Sequence, residues 1–184
     1  MSKCTEIRIA GFGGQGVILA GYVLGKAATI YENKYATLTQ SYGPESRGSA
    51  CSAQIILSDS EIFYPALIQP DILVVMSQEA EAKFSNQVKK EGLILYDSCL
   101  VTPSVNAARL AGIPATDLAG SLGKKIVANM IILGFLARQT NAVSLDALKQ
   151  AVISIVAKQH LELNMKALET GYSYLPSKPV EVET

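Results

Sequence analysis

The stretch from Glu6 to Ile30 constrains the fold more than any other part of the sequence. Glu6 to Ala10 (EIRIA) has the alternating, β-branched character of a short strand. Gly11-Phe12-Gly13-Gly14-Gln15-Gly16 follows, and Val17 to Ile30 then places apolar residues at helical spacing. A strand that turns through glycines straight into a helix opens a β–α–β unit, and such units build parallel sheets covered by helices. Gly11, Gly13 and Gly16 meet the G-x-G-x-x-G pattern. Glycines there permit a tight turn and a close backbone approach, and the first N–H groups of the helix are free to meet an anion. Alone, the pattern leaves two readings open: a nucleotide or phosphate site, or a tight turn with nothing bound.

The rest of the chain continues the alternation. Tyr35 to Thr39 reads as a second strand, and Gln40 to Ser49 as a loop punctuated by Gly43, Pro44 and Gly48. Ala50 to Leu57 reads as a strand that turns at Ser58 to Glu61 into a return strand, Ile62-Phe63-Tyr64. Asp71 to Met76 and Gly92 to Tyr96 are continuous apolar runs, the pattern of parallel strands buried on both faces. Ser77 is placed to cap a helix over Gln78 to Gln87, with Glu79 and Glu81 in its first turn. Ile113 to Thr116 reads as a short extended piece and Lys125 to Arg138 as a long helix. Ser144 caps a further helix, and a last one over Leu161 to Thr170 stops at Gly171. The predicted fold is a single α/β domain over residues 1–184, a Rossmann-like three-layer arrangement. It has a mostly parallel sheet, a β-hairpin insertion at Ala50–Tyr64, C-terminal helices, and an extended tail over about 172–184.

Composition narrows the function. Sixteen basic residues balance 16 acidic ones, so there is no excess charge to neutralise a nucleic-acid backbone. No apolar run reaches the roughly 18 residues of a membrane span; the longest, Ile126 to Ala137, contains Asn129. Cys4, Cys51 and Cys99 are widely spaced, form no C-x-x-C, and read as small buried residues of a chain kept in a reducing cytoplasm. They predict no cluster or metal site built by this chain alone. His160, the one histidine, has no acid or cysteine beside it and reads as a surface residue. Charged residues are 17%, against about 25% in an average soluble domain. Either the core is large, or part of the surface faces a partner.

A dinucleotide site also needs an acidic residue at the end of the second strand, for the ribose hydroxyl. That strand ends Thr39-Gln40-Ser41, and no Lys-Ser/Thr follows the glycines as a P-loop requires. The following loop is more unusual. Gln40, Ser41, Tyr42, Gly43, Pro44, Glu45, Arg47 and Gly48 bring an amide, hydroxyls, a carboxylate and a guanidinium into nine positions. It is expected near the glycine loop, because both are read as leaving the C-terminal ends of adjacent strands, the edge where α/β sheets bind ligands. Arg47 there has the planar fork for a phosphate or carboxylate, or simply pairs with Glu45. The carboxylates are scattered, so no general acid/base pair stands out and the chain is not expected to catalyse a reaction alone.

GFGGQGVILAG (Gly11 to Gly21), TQSYGPESRG (Thr39 to Gly48) and PDILVVMSQEA (Pro70 to Ala80) together resemble the gamma subunit of the 2-oxoacid:ferredoxin oxidoreductases. The resemblance continues through GLILYDSCLV (Gly92 to Val101) and Asn129-Met130 to about residue 140. The wording GFGGQG with TQSYGPE is most similar to the 2-oxoglutarate branch; pyruvate-type chains more often read G-R-G-G-Q-G. The resemblance implies a cytoplasmic complex that oxidatively decarboxylates 2-oxoglutarate with coenzyme A to succinyl-CoA and carbon dioxide. It implies thiamine diphosphate, Mg2+ and an iron–sulfur cluster on partner subunits, with ferredoxin or flavodoxin as acceptor. This chain would then hold no cofactor stably. Gly11, Gly13, Gly14, Gln15 and Gly16 would meet a coenzyme A phosphate or a partner loop, and Gln40 to Gly48 with Asn129 would face a ligand or partner. The alternatives are a free-standing nucleotide- or NAD(P)-binding Rossmann-like protein and a coenzyme A-binding regulatory module. On the subunit reading, the missing charge marks a hidden surface at the glycine-loop edge, and the isolated chain is expected to dimerise or to show a large apolar patch.

Overall fold

The strand opening the chain, β1 (Cys4–Phe12), lies inside a six-stranded sheet of order β2-β3-β1-β4-β5-β6. The computed structural model describes residues 4–41, 50–104 and 109–176. Helix α1 (Val17–Lys26) follows β1 and runs into a wider π turn over Ala27–Tyr31. Strands β2 (Tyr35–Ser41) and β3 (Ala50–Ser58) come next, then β4 (Ile72–Val75) and α2 (Gln78–Phe84). Strands β5 (Leu93–Asp97) and β6 (Arg109–Ile113) complete the sheet. Helices α3 (Ala115–Ser121), α4 (Ala128–Thr140), α5 (Leu145–Ile155) and α6 (Lys158–Ser173) close the described chain.

β4 lies parallel to β1, β5 to β4 and β6 to β5, while β3 runs antiparallel to both β1 and β2. The antiparallel hairpin is therefore β2–β3, formed across the polar loop. The expected return strand Ile62–Tyr64 is no strand; this segment lies outside the sheet with Phe63 88% exposed. The other side of β3 is occupied by β1, so no ladder position was left for it. For the same reason the two loops do not leave adjacent strands: β3 stands between β1 and β2.

Each sheet face has its own core. On one face Ile7, Ile9, Ile55, Val74 and Leu95 meet α1 and α3 to α6. On the other, Leu73, Val75 and Ile94 meet Ala80 and Phe84 of α2. Arg8 also lies on this second face, with its guanidinium 4.7 Å from the Phe84 ring centre and Nη1 donating to Gln87 Oε1 at 2.5 Å. The apolar run noted in the sequence is the central helix: every residue of α4 from Ala128 to Ala137 is buried. Part of the charge deficit thus goes into a helix enclosed on all sides.

The capping signals hold for α2 and α5. Ser77 Oγ accepts from Ala80 N and Ser144 Oγ from Ala147 N, each at 3.2 Å. A further clasp holds α5: Glu32 accepts from Ser144 N at 2.6 Å and from Lys34 Nζ at 2.8 Å. Helix α3 was not legible, because Ala115 and Thr116 read as extended and Pro114 offers no cap of its own. Its cap comes from another element. Asp97, fully buried at the end of β5, accepts from Thr116 N at 3.1 Å and from Thr116 Oγ1 at 2.6 Å.

Gly171 does not end the last helix, which runs on to Ser173 and so takes in the first residues of the expected tail. A Cβ on Gly171 would collide with the Ile131 carbonyl of α4, and one on Gly134 with the Leu168 carbonyl of α6. These glycines let two helices touch backbone to backbone. Phe135 and Tyr174 then meet edge to face with ring centres 5.8 Å apart. Residues 177–184 of the expected tail lie outside the described residues.

Candidate functional site at the glycine-loop edge

The loop from Gly11 to Gly16 leaves the C-terminal end of β1 and is held from below by two side-chain amides. Gln15 turns back into the loop: Oε1 accepts from Phe12 N at 2.7 Å, and Nε2 donates to Met76 O at 2.8 Å, just past β4. Gly11 leaves room for this latch, since a Cβ there would lie 2.5 Å from Gln15 Oε1 and 3.1 Å from Met76 Cβ. Asn129, buried at the start of α4, donates through Nδ2 to Gly16 O at 3.2 Å. The same carbonyl accepts the first helical bond of α1, from Ala20 N at 2.9 Å. Gly16 holds φ +73° and Gly14 φ +95°, left-handed values that favour glycine.

The crest differs from the base. Gly13 and Gly14 are exposed, and a Cβ on either would meet nothing within 4 Å among the described residues. Phe12 beside them is 37% exposed. Packing therefore explains Gly11 and Gly16, whereas at Gly13 nothing in the described chain requires a glycine.

The expected site residues separate accordingly. Gly13 and Gly14 form the bare crest; Gln15 and Asn129 are inside, as latches. Gln40 and Ser41 are exposed at the end of β2, where Ser41 pairs with Ser52 and Ser52 with Ala10 of β1. The stem of the second loop thus rises from the same sheet edge, one strand away. Tyr42, Gly43, Pro44, Glu45, Arg47 and Gly48 lie outside the described residues.

A groove of about 450 Å³ adjoins the loop on the side of α1, lined by Leu19, Ile126 and Leu163 with Lys124 and His160 at its polar places. Sequence reasoning missed this groove. Its walls come from α1, α6 and the turn before α4, and no local pattern joins them. His160 is exposed, as expected, but it stands at this groove.

The chemistry on offer is binding. The loop itself carries no titratable side chain. Among the described residues no three His, Cys, Asp or Glu side chains stand together as a metal cage. Of the cysteines, Cys51 is buried while Cys4 and Cys99 are exposed, which corrects the expectation of three buried thiols. Burial pushes all three thiols up from their ordinary values, so none is a ready thiolate nucleophile at neutral pH. The geometry also speaks against a dinucleotide site. The parallel neighbour of β1 is β4, which ends at Val75 without an acid for a ribose; the next carboxylate, Glu79, lies in the first turn of α2.

Comparison with known proteins gives a consistent result. The family profile described as pyruvate ferredoxin/flavodoxin oxidoreductase matches residues 6–174. The chain is 45% identical over 172 residues to the 2-oxoglutarate synthase subunit KorC of Methanocaldococcus jannaschii, covering 91% of each chain. It is 32% identical over 180 residues to the pyruvate synthase subunit PorC of the same organism, covering 94% of this chain and 98% of that one. Among solved structures, the keto/oxoacid ferredoxin oxidoreductase gamma subunit from Geobacter sulfurreducens superposes with a TM-score of 0.85 at 38% identity, covering 92% of this chain and 95% of that one.

Proposed function

The chain belongs to the pyruvate ferredoxin/flavodoxin oxidoreductase family, and from that premise we propose that it is the gamma-type subunit of a 2-oxoglutarate:ferredoxin oxidoreductase complex. The complex decarboxylates 2-oxoglutarate, transfers the succinyl group to coenzyme A and passes two electrons to ferredoxin or flavodoxin. The preference for 2-oxoglutarate over pyruvate is supported by two relatives from one organism: identity is 45% to the 2-oxoglutarate synthase subunit and 32% to the pyruvate synthase subunit.

The division of labour rests on the glycine loop, latched below by Gln15 and Asn129 and bare above at Gly13 and Gly14. A crest latched from below and without titratable groups positions a neighbour; it does not move protons. Thiamine diphosphate with Mg2+, and the iron–sulfur cluster, belong to the partner subunits on this reading. The crest and the stem at Gln40-Ser41 face the thiamine site. The free N–H groups of the loop and of α1 hold a coenzyme A phosphate or a loop of the thiamine-binding subunit. The isolated chain, short of charge, self-associates.

The test is to purify the complex through this subunit and measure acceptor reduction with each oxoacid in the presence of coenzyme A. The expected result is co-purification with a thiamine-binding chain and at least about a tenfold higher kcat/KM with 2-oxoglutarate than with pyruvate. A chain that purifies without partners, or a complex that prefers pyruvate, overturns the reading.

A further inference from the structure

Arg8 lies in the middle of β1, 6% exposed, on the sheet face that α2 covers. A guanidinium stays ionised at every ordinary pH, so its charge is buried with it. A buried charge is normally paired, because an unpaired one gives up its hydration for nothing in return. Here the partners are neutral: Nη1 donates to Gln87 Oε1, and the guanidinium lies over the Phe84 ring. Burial lowers the Arg8 pKa from its ordinary value, and no neighbouring carboxylate raises it again.

Lys83 brings a second cation to the same ring, with Nζ 5.2 Å from its centre. Neither Arg8 nor Lys83 enters an ion pair among the described residues. Acids close by in the chain are engaged elsewhere. Glu6, two positions before Arg8, pairs with Lys89 at 3.5 Å, and Glu81, two before Lys83, accepts from Ser104 and Gln78. The ring face and the carbonyl end of α2 attract both cations, but each effect is small beside the cost of an unpaired buried ion.

Unmet hydrogen bonds mark the same corner. Arg8 Nε is buried without a partner among the described residues, and so is the hydroxyl of Ser85. Ser85 opens the single 3-10 turn Ser85–Gln87 that continues α2, between the two residues that hold the guanidinium. With Nη1 spent on Gln87, Nε and Nη2 remain as the open side of the fork, the pair that meets two oxygens of one oxyanion. Lys83 and Gln87 are exposed, so the guanidinium ends just below the surface. A water could meet Nε and Ser85, but only an anion also offsets two positive charges.

We propose that Arg8, Ser85 and Lys83 form a binding site for a small oxyanion, a phosphate or carboxylate group, at the carbonyl end of α2. The glycine loop lies at the other end of that helix, where Gln15 meets Met76 just before the Ser77 cap. The two sites are therefore separate, and this one does not depend on the assignment to a 2-oxoglutarate enzyme.

Proton–nitrogen NMR on the full chain tests this, because the Arg8 Nε–H gives its own resonance. Inorganic phosphate, titrated against chloride at equal ionic strength, is expected to shift that resonance saturably. It should also raise Tm by roughly 3 °C at ten times the dissociation constant. Acetate in place of phosphate tells a carboxylate ligand from a phosphate one by which binds more tightly. Arg8→Met replaces the charge with an apolar chain; it should be at least as stable as the parent in chloride and lose the response. Arg8→Lys, which keeps the charge without the fork, should weaken binding at least about tenfold. Shifts confined to Gly13 and Gly14, or no saturable response to either anion, overturn the proposal. So does an Arg8→Met chain clearly less stable than the parent in chloride, since the guanidinium would then be compensated within the chain. Substrate preference of the complex is read separately, so failure here leaves the assignment to a 2-oxoglutarate enzyme standing.

Discussion

In the β1–α1 loop, Gly14 and Gly16 hold φ of +95° and +73°, and Gly11 and Gly16 make room for the amides of Gln15 and Asn129. At the contact of α4 with α6, Gly134 and Gly171 sit within ordinary helix, and what they make room for is backbone: the Leu168 and Ile131 carbonyls. Side-chain amides can shift by a few tenths of an ångström; a carbonyl in the middle of a helix moves only if the helix moves. The loop glycines thus shape a site that tolerates adjustment, and the helix glycines fix a joint that does not.

Substitutions should separate the two sets by size of effect. Gly171→Ala is expected to be the most damaging, because its Cβ must push α4 and α6 apart. The cost is about 3 kcal/mol, seen as a fall in Tm of roughly 6–12 °C for a chain of this length. A Tm within a degree of the parent would show that the helices slide freely, and the contrast with the loop would go. Gly16→Ala comes next. The left-handed backbone costs about 1–2 kcal/mol, and the new Cβ also strikes the Asn129 amide. Asn129→Ala alone should cost about 1 kcal/mol for the lost hydrogen bond. The double variant should then be less destabilised than the sum of the singles, because the collision disappears while the backbone strain stays. Strict additivity in denaturant unfolding would mean that the loop relaxes without the latch.

Gly13→Ala is expected to have the smallest effect on stability, within about 0.5 kcal/mol, because its Cβ points into open space. Its effect should lie instead in the assembled complex, with 2-oxoglutarate- and coenzyme A-dependent turnover falling about tenfold, close to 1.4 kcal/mol. Unchanged turnover would free the crest from any contact with ligand or partner and would reduce the loop to a tight turn.

The glycine loop was legible because its signal is local: six consecutive residues between a strand and a helix. The apolar runs around Ile72–Val75 and Leu93–Asp97 were legible for the same reason, as were the caps Ser77 and Ser144. Gly171 was misread, since a glycine at the end of an apolar pattern is also the mark of a helix stop. What distinguishes the two cases is the carbonyl of Ile131, 40 positions earlier in the sequence. Helix α3 was missed because its cap, Asp97, stands at the end of β5, 19 positions earlier and with β6 in between. The hairpin was assigned to the wrong partner of β3, since both candidate strands have the composition for it and register with a distant strand decides.

By itself, then, the sequence determined an α/β chain opening on a glycine loop, a central apolar helix, and the family in which that loop occurs together with Thr39 to Gly48. Local backbone preference and hydrophobic period are enough for that much. The tertiary structure alone decided which side of the loop is closed and which is bare. It also decided that Gln15 and Asn129 work as latches, and that the run from Val17 to Tyr31, charged only at Lys26, keeps Tyr22 and Ile30 exposed beside the edge strand β2. Burial and contact are relations between distant residues, and they come into being only when the sheet brings β1, β4 and α4 together beneath the loop.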